Sequence, residues 1–217
     1  MRRTKEEAEQ TRQEIIEAAR RVFHRHGVVR SSLDKIAKAA GVTRGAIYWH
    51  FRNKAELFFA MRDDAFSQVI NSTDAILYDP AWANPLDAIE ASTKAFFRIL
   101  NETTKFREVF EIMVARCEYV DEFAAIEEEI ARPPREFFIK IEAMNQRARD
   151  HNSLRRGIAP VAGARDTWAF TSGLLHLSLG TARGVNISRG MAEEMITDHF
   201  ALFRCCPVDP GCRQVPG

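Results

Sequence analysis

The chain contains few residues that break a helix. No proline occurs before Pro80, and no glycine lies between Gly45 and Gly157. Regular strand alternation, Asn-Gly hairpin turns and internal repeats are also missing, which argues against an all-β or solenoid fold. The longest run without a charge is Thr167 to Ala182, 16 residues that include Thr171, Ser172, His176 and Ser178. A membrane span needs about 20 mainly apolar residues, so a buried helix and no membrane partner are expected. The charged stretch Met1 to Gln10 does not match a secretory leader. Four cysteines (Cys117, Cys205, Cys206 and Cys212) show no CxxC spacing and no disulfide framework, so reduced thiols and a cytoplasmic location are expected.

Signatures of catalysis are missing as well. There is no H-E-x-x-H, P-loop or G-x-S-x-G motif. His24 and His26 stand two apart, which puts them on different faces of a helix. Glu127, Glu128 and Glu129 form a charge run expected to be solvated. No enzyme activity, no cofactor and no metal are expected.

What is present is a marked asymmetry of charge. Residues 1–62 hold 14 Lys/Arg against 7 Asp/Glu, whereas residues 63–217 hold 17 against 23. The overall net charge of +1 conceals a basic front end suited to an anionic partner. Helical periodicity and capping residues predict an all-α fold. The first four helices are expected at about Lys5–His26, from near Ser32 to Ala40, Arg44–His50 and Lys54–Leu77. Gly27 and Gly41 act as stops, and Thr43 and Asn53 as caps. Further helices are expected at about Pro85–Leu100, Lys105–Tyr119, Glu122–Ala131, from Pro133/Pro134 to Asp150, Arg165–Ala182 and Met191–Phe203. A loop is expected over 152–163 and a disordered tail over 207–217.

Residues 31–51, SSLDKIAKAAGVTRGAIYWHF, predict two short helices joined by a tight turn at Gly41. This is the helix-turn-helix pattern. Ile36, Ala37, Ala40, Val42 and Ile47 supply a shared core, and Phe51 with part of Trp49 is expected to pack. The second helix then turns Thr43, Arg44, Gly45 and Tyr48 outward, as required of a helix that enters a major groove.

The run IAKAAGVTRGAIYWHFRNKAELF resembles the N-terminal domain of the TetR family of bacterial transcription regulators. KEEAEQTRQ at 5–13 and Cys117–Glu118–Tyr119 resemble its multidrug-efflux branch, of the acridine-resistance-regulator type. The match covers about residues 5–65 closely and the remainder loosely. The resemblance implies an N-terminal three-helix DNA-binding domain (1–62, helix-turn-helix about 32–51) and a larger helical ligand-binding and dimerisation domain (63–206). It implies base or phosphate contacts from Thr43, base readout by Arg44, close approach at Gly45, and phosphate contacts from Tyr48, His50 and Lys54. Ser31 and Ser32 are lesser phosphate candidates.

For the C-terminal part, the resemblance implies a homodimer on a palindromic operator of double-stranded DNA. Leu174, Leu177 and Ser178 on one helix, with Ile196, His199, Phe200 and Phe203 on the next, are candidates for the interface. Burial of these faces within their own subunit is the alternative. Phe96, Phe110, Met113, Val114, Phe137, Ile141, Trp168, Ser172 and His176 are candidates for lining a site for a hydrophobic small-molecule effector, against the alternative of plain core. Some relatives carry polar or charged side chains along the Phe110–Val114 and Ser172–His176 helices, whereas Phe110 and Val114 are apolar and Ser172 is short and neutral, which favours a more apolar effector or a different efflux substrate here. The implied function is a ligand-responsive repressor of multidrug-efflux genes. A regulator of lipid or signal metabolism, or a helical interaction module that does not bind DNA, remains as an alternative.

Overall fold

A computed structural model describes residues 5–117, 127–181, 185 and 187–205. The described residues form nine α-helices and one isolated bridge, Leu154 to Arg204. The helices are α1 (Lys5–His26), α2 (Leu33–Ala40), α3 (Arg44–His50), α4 (Lys54–Leu77), α5 (Pro85–Glu102), α6 (Thr104–Ala115), α7 (Glu127–Asp150), α8 (Pro160–Ser178) and α9 (Arg189–Ala201). The all-α expectation holds. Two compact units are present: Met1–Gln68 with Thr103–Glu127, and Val69–Glu102 with Glu128–Gly217. α6 belongs to the first of these units.

In the first unit, α1 buries Ile15, Ile16, Ala18, Ala19, Val22 and Phe23 on one face. Ile36, Ile47, Phe51, Leu57 and Phe58 are buried with them, and the Phe23 and Phe58 rings lie 6.3 Å apart. Each fully buried side chain of this size contributes roughly 1.5–3 kcal/mol. α6 adds Phe106, Val109, Phe110 and Ile112. Phe66, Phe106 and Phe110 form a cluster with ring centroids 4.7–5.3 Å apart.

A ladder of polar side-chain pairs runs along the α1–α6 seam. Glu17 meets Lys105 at 2.7 Å, Arg20 meets Glu108, and His24 meets Glu111 at 2.8 Å. Lys105 also reaches Asp64 of α4 at 2.7 Å. Burial works against ionisation of both Glu17 and Lys105 but is outweighed by their partners. Lys105 and Arg20 hold the Glu17 carboxyl below its ordinary value; Asp64 and Glu17 raise Lys105 above its own. The Val28 N–H donates to the Arg116 carbonyl at 2.9 Å and ends the seam.

In the second unit, Leu86, Ile89 and Phe97 of α5 are buried, as are Ile141 and Met144 of α7, Ala164 and Leu174 of α8, and Ile196 and Phe200 of α9. Arg204 ties the end of α9 to α5 through Asp87 (2.7 Å) and Glu90 (2.5 Å). α8 packs closely at Gly163: a Cβ there would stand 2.9 Å from Asn145 Nδ2 and 3.0 Å from the Phe203 ring.

Several expected boundaries are corrected. α7 runs through Pro133 and Pro134 instead of opening at them. A proline within a helix removes one backbone hydrogen bond and its ring crowds the carbonyl four residues back, a cost that the burial of Ile141, Met144 and Ala148 further along α7 works against. Of the short helix expected at Glu122–Ala131, residues 122–126 lie outside the described residues and the rest belongs to α7. α8 opens at Pro160, inside the expected loop, because proline suits the first helical position. It ends at Ser178, where Gly180 (φ 68°) and the Thr181 N–H to His176 carbonyl bond (3.1 Å) close the last turn. α6 ends at Ala115 and α9 at Ala201, both earlier than expected. Trp49 is 72% exposed and forms no part of the core, whereas Phe51 is buried. Cys205 is disulfide-bonded, against the expectation of reduced thiols. Cys206 and the tail over 207–217, which contains Cys212, lie outside the described residues.

Candidate nucleic-acid interface and effector domain

The helix-turn-helix is assembled by local chemistry. Ser32 caps α2, its Oγ accepting the Lys35 N–H at 3.3 Å. Gly41 ends α2 in the left-handed region (φ 69°, ψ 24°), where a side chain would be strained, and its N–H reaches the Ala37 and Lys38 carbonyls. Thr43 caps α3, its Oγ1 accepting the Ala46 N–H at 3.2 Å. Leu33, Ile36 and Ala37 of α2 and Ile47 of α3 are buried as the shared core. Asn53 caps α4 by accepting the Glu56 N–H at 2.8 Å, and Glu56 in turn accepts the Arg52 N–H at 2.7 Å. That pair sets where Lys54 begins its helix.

Only Ile47 of the seven α3 residues is buried. Thr43, Arg44, Gly45 and Tyr48 are exposed together, and His50 and Lys54 are half-buried beside them. A Cβ on Gly45 would find nothing nearer than Thr43 Oγ1 at 3.9 Å. The missing side chain is therefore not required by the chain's own packing. Arg44 pairs with Asp34 at 3.2 Å and lies 5.5 Å over the Tyr48 ring. Tyr48 first, and then Asp34, raise its pKa above the ordinary value. Lys54 Nζ stands 3.5 Å from the Val29 carbonyl.

Ser31 is turned inward. It is 4% exposed and its hydroxyl donates to the Gly27 carbonyl at 2.6 Å, which closes the turn after α1. Its neighbour Ser32 remains exposed, with its hydroxyl used for capping. Trp49 is the surface residue that the sequence reading missed. It stands two places from buried Ile47, a rotation of about 200° on a helix, and that spacing was the available signal.

The interface candidates are unevenly exposed within the single chain. Leu174, Ile196, Phe200 and Phe203 are each at most 4% exposed within the single chain. His199 is half-buried, stacked on Phe170 at 4.1 Å and 5°, with Phe200 and Phe203 also beside it. Burial lowers its pKa against the opposing pull of Asp166. Leu177 and Ser178 are half-buried. The apolar face of α9 thus covers its own subunit. Exposed on α8 are Arg165, Asp166, Trp168, Ala169, Gly173 and His176; exposed on α9 are Arg189, Gly190, Met191, Glu193, Glu194, Thr197, Asp198 and Ala201, and Leu202 just beyond it is 63% exposed.

The effector candidates fall on both units. Phe110 is 8% exposed inside the Phe66–Phe106 cluster, which makes it core; Met113 and Val114 are half-buried on the same helix. In the second unit, Phe137 and Trp168 face each other at 5.8 Å, with Trp168 38% exposed. Ile141 is buried, while Phe96 and Ser172 are half-buried. His176 is exposed, its Nδ1 2.9 Å from Thr181 Oγ1. Among the described residues no cluster of His, Cys, Asp or Glu could hold a metal, and no helix is long and apolar enough to cross a membrane.

Comparisons with known proteins agree with this arrangement. Residues 15–61 match the model of the bacterial regulatory proteins of the tetR family. The chain is 41% identical over 132 residues to the probable HTH-type transcriptional regulator ArpR of Pseudomonas putida, covering 59% of this chain and 61% of that protein. The match thus spans about three-fifths of that relative. Among solved structures, NalD, the secondary repressor of the MexAB-OprM multidrug efflux pump in Pseudomonas aeruginosa, is 30% identical with a TM-score of 0.79, covering 92% of this chain and 98% of that one. The complex of triclosan with SmeT, the repressor of the Stenotrophomonas maltophilia pump SmeDEF, is 30% identical with a TM-score of 0.77, and 96% of each chain is covered. With a matching head and a likeness that extends over nearly the whole length of NalD, the chain belongs to the TetR family of bacterial regulatory proteins, which are DNA-binding regulators and not enzymes.

Proposed function

We propose that the chain is a homodimeric repressor of multidrug-efflux genes that leaves a palindromic operator when a hydrophobic small molecule binds. The observation that carries this reading is the exposed set on α3. Thr43, Arg44, Gly45 and Tyr48 share one surface, and none is needed by the fold beyond the Thr43 cap. Arg44 reads a base edge, since arginine pairs bidentately with guanine. Tyr48, His50, Lys54 and Ser32 meet phosphates. Gly45 lets the backbone approach the groove, and Trp49 adds an exposed aromatic to the same surface.

Dimerisation uses the open faces of α8 and α9. Ala169, Gly173 and His176 recur at i, i+4 and i+7, and a Cβ on Gly173 would meet nothing within 4 Å in its own chain. Met191, Glu194, Asp198 and Leu202 form the matching α9 face. The effector contacts Phe96, Phe137, Ile141, Trp168, Ser172 and His176 of the second unit, an aromatic set suited to apolar ligands. Release requires the effector to bind one state of the protein more tightly than the other. A coupling of about 1–3 kcal/mol gives roughly 5–150-fold release.

A gel shift tests this, using the chain's own upstream DNA at two salt concentrations, with and without triclosan and other hydrophobic compounds. A specific complex released by a compound is the expected result. The absence of any sequence-preferring complex, there and in a selection from random DNA, would reject the reading.

A further inference from the structure

Asp34 is a carboxylate on the surface that has just been assigned to DNA. It stands in the first turn of α2, where an acidic residue favours the helix end. That does not account for its side chain, which reaches across the turn to Arg44. Asp34 Oδ1 lies 3.2 Å from Arg44 Nε, with the two side chains 58% and 68% exposed. A pair so exposed adds little to stability. A negative charge here also repels phosphate. Both facts count against a carboxylate at this position unless it acts on Arg44.

The geometry supplies that action. Asp34 takes the Nε edge of the guanidinium, and Tyr48 lies beneath it, 5.5 Å from ring centroid to Cζ. The long side chain is held from two sides, by the Asp34 carboxylate beside Nε and by Tyr48. Its two terminal nitrogens are the atoms that pair bidentately with a guanine edge. An arginine without such restraint swings to the nearest phosphate on any sequence, a contact that carries no sequence information.

We propose that Asp34 is a specificity-determining positioning residue that presents Arg44 to a base edge and withholds it from the phosphates of arbitrary DNA. This rests on the DNA-reading function proposed above. It predicts that loss of the carboxylate strengthens binding to non-operator DNA and weakens discrimination, a combination that simple damage to the fold does not produce.

The test uses the full-length chain and two duplexes: one enriched by the wild-type protein from a random pool, and a scrambled duplex of equal length and composition. Asp34→Asn is expected to bind the scrambled duplex about 3-fold more tightly, with a salt slope steeper by up to about one unit. The affinity ratio between the two duplexes is expected to fall about tenfold, and Asp34→Glu to restore part of it. In an Arg44→Ala background, Asp34→Asn is expected to leave the ratio unchanged, because its effect passes through Arg44. An unchanged ratio in the wild-type background, or an equal fall in both backgrounds, overturns the inference. If the wild-type chain enriches no sequence, the DNA reading itself fails. Thermal melting of each variant separates loss of fold from loss of discrimination.

Discussion

α3 and α9 carry similar numbers of large apolar and aromatic side chains but use them in opposite ways. α3 buries Ile47 alone and leaves Tyr48 47% and Trp49 72% exposed. α9 turns Ile196 and Phe200 into its own subunit until almost nothing of them meets solvent, and Phe203 just beyond it does the same. A side chain that the fold does not use is available to a partner, whereas one already covered is not. Apolar spacing on a helix therefore locates a buried face, but it does not tell which molecule covers that face.

The sharpest way to break this contrast is to truncate one residue on each side. Phe200→Ala should destabilise the chain by about 3–5 kcal/mol, read by chemical denaturation. If stability held and only self-association weakened, Phe200 would return to the dimer interface. Arg44→Ala should leave the melting temperature unchanged and cost operator binding about 1–3 kcal/mol, with relaxed preference at one base pair. Unchanged specificity would remove Arg44 from base readout.

Gly163→Ala tests how tightly α8 is seated. Its methyl would meet Asn145 and the Phe203 ring, and about 1–3 kcal/mol of stability should be lost. A neutral result would mean that α8 shifts freely. Lys54→Ala should weaken binding to every sequence alike and reduce the salt slope by about one unit; a constant slope would take Lys54 out of the phosphate contacts.

The smallest effect concerns pH. His199 has a folded pKa depressed below its ordinary 6.5 by burial. Its neutral form thus contributes stability that is present above about pH 6.5 and lost as pH falls through the folded pKa. Glu17, also depressed, adds a second loss at more acid pH, below its ordinary 4.5. Melting curves between pH 7.5 and 5.5 should show a shallow decline that His199→Phe removes; persistence of the decline would assign it to another group.

The first four helices were legible because their ends are written locally. Gly27 and Gly41 stop helices in positive-φ conformations, and Thr43 and Asn53 start them with side-chain caps. Pro133 and Pro134 misled because a proline announces a lost amide without saying whether the helix survives it. Pro160 was missed because the same residue type also opens helices. The adjacent serines were ambiguous for a similar reason. Either hydroxyl could cap α2, and only the folded turn sends Ser31 back to Gly27 and leaves the cap to Ser32.

The amino-acid sequence alone determined the helical class, the turn at Gly41 and the outward face of α3, since each follows from neighbours within about one or two turns. Tertiary structure decided what joins residues far apart. It paired α1 with α6 through Glu17–Lys105, Arg20–Glu108 and His24–Glu111, closed the apolar side of α9 against its own subunit, and set Asp34 against Arg44. Charge and apolarity are properties of single residues. A contact is a property of two, and for distant residues its geometry exists only once the backbone has brought them together.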